Sequence, residues 1–75
     1  METEPTAISA VAARNIKIEL VDRSLTKNAL AIKAGIPSTT FDRKLNHPEQ
    51  FTLKDLGFIA KALDVPFTDL LKGAA

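Results

Sequence analysis

The sequence predicts an all-α fold of five short helices in a single domain, and three observations predict it. Apolar residues recur at helical spacing in separate stretches around Ile16, Leu30 and Ile59. Residues that start or stop helices stand between those stretches, among them Thr26, Gly35, Pro37, Pro48, Thr52 and Pro66. The chain has 75 residues, which is room for one core and no second module. A domain of this size buries only roughly 60% of the surface its unfolded chain exposes, so a few core side chains carry much of its stability.

Met1 to Pro5 reads as a flexible arm. From Ala7 to Asp22 the residues Ile8, Val11, Ala12, Ile16 and Leu20 mark one face of a first helix, and Leu25 follows as a plug that folds back on the core. Thr26 is suited to cap a second helix, because its hydroxyl can accept an amide hydrogen of the first turn. That helix runs to Ala34 with Leu30, Ala31 and Ala34 inward, and Gly35 stands where a helix end favours a left-handed residue. Pro37 and Ser38 open a third helix that runs through Leu45 or Asn46 and ends at Asn46-His47-Pro48. Thr52 to Asp55 is a capping signal for a fourth helix, whose inner face is expected to carry Leu53, Leu56, Ile59, Ala60 and Leu63. Val65-Pro66 breaks it, and Phe67 to Leu71 forms a fifth helix that closes the core.

Composition narrows the function. The chain has no cysteine, so it can build neither a disulfide framework nor a thiolate metal site. Its acidic opening lacks a secretory n-region, and no stretch is long and apolar enough to span a bilayer, so a cytoplasmic setting is expected. Net charge is only +1, but it is unevenly spread. Between Arg23 and Asn46 stand Arg23, Lys27, Lys33, Arg43 and Lys44 against Asp42 alone, while Glu2, Glu4, Glu49, Asp55, Asp64 and Asp69 lie outside.

The second and third helices, joined through Ala34-Gly35-Ile36-Pro37, have the layout of a helix-turn-helix. At about 100° per residue, the third helix turns Phe41 and Leu45 to one side and Thr39, Arg43 and Asn46 to the other. Ser38, Thr40, Asp42 and Lys44 fall on its flanks. Short hydrogen-bonding side chains with one arginine suit the major groove, where base edges are approached closely and an arginine can bond guanine with two hydrogen bonds. A polar outer face alone marks any surface helix. The glycine corner and the clustered charge turn the reading toward DNA.

From Leu25 to Leu71 the chain resembles the lambda repressor and Cro family of helix-turn-helix domains, the xenobiotic-response-element type included. The resemblance rests on Ala31 as the small residue of the second helix, Gly35 at the corner, Ile36 after it and Phe41 inside the recognition helix, followed by the pattern of the last helix pair. It implies a DNA-binding surface of Lys27, Asn28, Ser38, Thr39, Thr40, Arg43, Lys44 and Asn46. Within that surface, it implies phosphate contacts from Lys27 and Asn46 and base contacts from Ser38, Thr39 and Arg43.

Two positions depart from the family pattern. Many members pair an arginine of the first helix with a glutamate late in the third, where this chain has Leu20 and Leu45. An apolar pair is physically acceptable there, since well-packed hydrophobic residues often replace a buried ion pair without loss. Lys44 stands where an apolar residue is common, and it either reaches phosphate or extends to solvent.

Asp42 is expected to pair with a neighbouring basic side chain rather than read cytosine. His47 has no second ligand at metal spacing and reads as a loop residue. Phe51, Phe58 and Phe67 read as core or interface, and Ser24 and Ser38 have no base in a catalytic arrangement. No cofactor motif, metal site or small-molecule seat is evident, and an enzyme is not expected. The expected function is a transcriptional regulator of a phage, prophage or bacterium that binds an operator in double-stranded DNA. The rival is an antitoxin or adaptor whose main partner is a protein. A homodimer, formed in solution or only on DNA, is expected to use the last two helices or the Phe51 loop.

Overall fold

The computed structural model describes residues 5–73, so most of the expected arm lies outside the described residues. The order is α1 (Pro5–Asp22), α2 (Lys27–Ala34), α3 (Ser38–Asn46), a 3-10 turn (Pro48–Gln50), α4 (Leu53–Leu63) and a 3-10 helix (Phe67–Leu71). The all-α class is as expected, with no strand among the described residues. The count of five regular helices needs correction: the last one has 3-10 geometry, and a turn at Pro48–Gln50 stands where the sequence marks only a break. Both pieces begin at or just after a proline, and five residues or fewer hold too few hydrogen bonds to sustain an α-helix. Pro5, expected in the arm, instead opens α1.

The core joins every helix. Ala12, Ala13, Ile16 and Leu20 of α1 meet Leu30 and Ala31 of α2, Phe41 and Leu45 of α3, and Leu56, Ile59 and Leu63 of α4 in one buried cluster. Leu70 of the last 3-10 helix closes it at 1% exposure. Asn15 secures that closure from α1, its amide nitrogen donating to the carbonyls of Leu70 at 2.8 Å and Lys72 at 3.0 Å. Leu25 packs against the cluster as the expected plug.

Two expectations about the core fail. Leu53 is 76% exposed, because it is the first residue of α4 and side chains tilt toward a helix N-terminus, which carries it past the end of the packed face. Phe51, read as core or interface, is in the core, in an edge-to-face contact with Phe41 at 6.5 Å between ring centres. Ile8 and Val11, expected on the inner stripe of α1, are only half-buried. Leu20 and Leu45 are both buried, with no polar or charged residue among the buried positions of the described residues. Among the described residues, no helix is long and apolar enough to cross a membrane.

Candidate nucleic-acid interface

Thr26 caps α2 as its chemistry dictates: the backbone is extended and its hydroxyl accepts the Ala29 N–H at 3.0 Å. This sets Lys27 and Asn28 in the exposed first turn, at the positive end of the helix. Eight residues later Gly35 takes φ +73°, and the Ile36 N–H reaches back to the Ala31 carbonyl at 3.0 Å. A β-carbon would disfavour that left-handed corner, which is why glycine stands there. Ile36 is then buried, and Pro37 leads into α3 without a side-chain cap, so Ser38 does not cap the helix it opens.

Phe41 and Leu45 fix the inner side of α3 at 0% and 2% exposure. Ser38, Thr39, Arg43 and Asn46 are exposed, and Thr40 is half-buried on the flank, as the helical rotation requires. The exposed side chains hold one another in place. The Ser38 hydroxyl donates to the Asn28 side-chain carbonyl and links the first turns of α2 and α3. Lys27 meets Asp42 at 2.8 Å, so the aspartate pairs with a basic neighbour as expected. Arg43 donates its Nε to the Gln50 side-chain carbonyl at 3.1 Å. That bond occupies the inner edge of the guanidinium and leaves both terminal amino groups as a fork.

Lys44 differs from the rest of the expected set. Its ammonium turns to Asp55 of α4 at 2.5 Å, and the two side chains are 14% and 17% exposed. The Lys44 flank of α3 thus meets Asp55 near the start of α4. Asp55 also accepts the Thr52 N–H at 3.1 Å, while its own N–H donates to the Thr52 hydroxyl at 3.0 Å. Burial acts to raise the Asp55 carboxyl. The hydrogen bond from Lys44, the bonds from Thr52 and the charge of Lys44 outweigh it and hold the carboxyl below the ordinary carboxylate value.

Neither Gln50 nor the second role of Asp55 is legible in the sequence. Asp55 is marked there as half of a capping box, but its lysine partner lies eleven positions away on another helix. Gln50 sits in the short 3-10 turn, which brings it to Arg43. His47 is exposed, with Nδ1 4.0 Å from Glu49, and it belongs to the loop.

The family model for the Cro/C1-type helix-turn-helix DNA-binding domain matches residues 15–73. Comparison with curated proteins returns no match, and neither does comparison with solved structures. The matched span contains the capped α2, the Gly35 corner, the recognition helix with its buried Phe41 and the closing α4 and 3-10 helix. The chain belongs to the Cro/C1-type helix-turn-helix DNA-binding domain family.

Proposed function

We propose that this chain is a sequence-specific regulator of transcription, a phage or prophage repressor or Cro-like protein, that sets α3 in the major groove of an operator. The observation that carries this reading is the Arg43 fork, held by Gln50 on the exposed side of a helix whose other side is locked by Phe41 and Leu45. Ser38, Thr39 and Arg43 are the base-reading residues, and Thr40 lines the flank. Asn28 supports Ser38. Lys27 and Asn46 contact phosphate. The Lys27–Asp42 pair does not prevent this, since both side chains are more than half exposed and such pairs are worth only about 0–1 kcal/mol. The protein works in the bacterial cytoplasm or nucleoid, and it binds as two copies on half-sites roughly 34 Å apart.

Selection of bound sequences from random duplex DNA tests the reading. An enriched repeated motif is expected, with affinity that falls steeply as salt rises. Absence of both enrichment and salt-sensitive binding would remove DNA from the account. One observation favours a protein partner, the antitoxin or adaptor alternative: Ile18 and Val21 of α1 are 48% and 78% exposed, outside the proposed DNA surface. Salt-insensitive behaviour toward DNA would select that alternative.

A further inference from the structure

Lys44 is the one cation of α3 whose charge is turned inward. Its neighbour Arg43 is exposed, whereas the Lys44 side chain is 14% exposed and bonded to Asp55. Asp55 is itself fixed by the Thr52 capping box at the start of α4. The contact therefore joins the C-terminal half of the recognition helix to a rigid point on the next helix. On the other side of the same helix, Leu45 is buried in the cluster that also holds Leu20, with no polar or charged residue among the buried positions of the described residues. Phe41 and Leu45 set which side of this nine-residue helix faces inward. A short, directional ion pair narrows the rotation that this packing allows.

We infer that Lys44 is a positioning residue for base reading: through Asp55 it fixes the rotation of α3 and thereby the placement of Arg43 and Asn46, and it makes no phosphate contact of its own. The inference rests on the DNA-binding reading and deepens it. The two roles open to Lys44 predict effects of opposite sign at Asp55. If Lys44 served phosphate, loss of the Asp55 charge would free an ammonium and strengthen binding to all DNA. If Lys44 acts through Asp55, the same change would loosen α3 and weaken the preferred sequence most.

The experiment measures affinity for the selected operator and for scrambled DNA across a salt series, in Lys44→Gln, Asp55→Asn, the double variant and Lys44→Arg. Asp55→Asn keeps a side-chain carbonyl for the Thr52 N–H, so α4 retains its cap. Circular dichroism sets a temperature at which each variant is folded, and Lys44→Met replaces Lys44→Gln if the latter does not fold. The expected result is that each single neutral variant loses discrimination by about tenfold, with the salt slope unchanged. The double variant should be no worse than either, and Lys44→Arg should retain discrimination. A purely structural role would lower both affinities together and leave the ratio intact, which would overturn the inference. So would tighter binding by Asp55→Asn, or a fall of about one in the salt slope of Lys44→Gln. A wild-type chain with no sequence preference would overturn the DNA reading, and this role with it, before any variant is measured.

Discussion

At Gly35 and again at Asp64 a helix ends in a left-handed residue, and the next amide closes onto the last turn. The Ile36 N–H bonds the Ala31 carbonyl at 3.0 Å, and the Val65 N–H bonds the Ala60 carbonyl at 3.0 Å. Both corners lead through a proline into a second helical segment, α3 after Pro37 and the 3-10 helix after Pro66. The two segments are unlike each other. The first is nine residues long and carries exposed Thr39, Arg43 and Asn46. The second is five residues long and serves mainly to seat Leu70 in the core. The same backbone corner thus presents an exposed polar surface in one place and a lid over the core in the other. The difference lies in which side chains each segment presents outward.

Apolar packing supports α3 from the core, and Leu20→Arg breaks that support most severely. It places a charge in a buried site where Leu45 offers no acidic partner, with an expected loss of about 3–5 kcal/mol. Denaturant unfolding measures it, and near-wild-type stability would show that α3 does not depend on this site.

The two corners themselves can be exchanged in chemistry. Gly35→Ala meets no atom within 4 Å of the new β-carbon, so only the left-handed backbone resists it, at a cost of about 1–2 kcal/mol. Asp64→Gly should move the other way. Asp64 holds φ +56° with a β-carbon and sets a carboxylate at the negative end of α4, so its replacement should gain about 0.5–1 kcal/mol despite the freer unfolded chain. Thermal melts of the two variants shifting in the same direction would refute the equivalence of the corners.

These corners also show what the sequence could and could not reveal. Thr26, Gly35 and the Thr52–Asp55 box are legible because their partners lie within a few residues and the chemistry is local. Asp64 does not announce a corner, because aspartate adopts a left-handed conformation far less often than glycine. The contacts that give the site its form join distant positions: Arg43 to Gln50, Lys44 to Asp55, and Asn15 to Leu70. Helical periodicity identifies which side of a helix faces outward, but it does not identify which distant residue waits there. Leu53 departs from its expected burial for the same reason, since periodicity does not mark where the packed face ends.

A smaller effect concerns acid. Asp55 has a carboxyl held below its ordinary value in the folded chain, so the unfolded chain binds the proton more readily. Its contribution to stability is present above the ordinary carboxylate range, near about pH 4, and is lost as pH falls through the folded value. Asp55→Asn should flatten that part of the stability profile. An unchanged acid limb would show that other carboxylates account for it.

In the proposed function, the segment after the Gly35 corner reads bases while the start of α2 anchors the DNA backbone. Paired titrations of Arg43→Ala and Lys27→Ala on the selected operator and on scrambled DNA, across a salt series, test it directly. Arg43→Ala should lose about 1–3 kcal/mol of discrimination, concentrated at one base pair. Lys27→Ala should weaken both DNAs alike and lower the salt slope by about one. Equal losses on both DNAs for Arg43→Ala, or a loss confined to the operator for Lys27→Ala, would contradict the division between reading and anchoring.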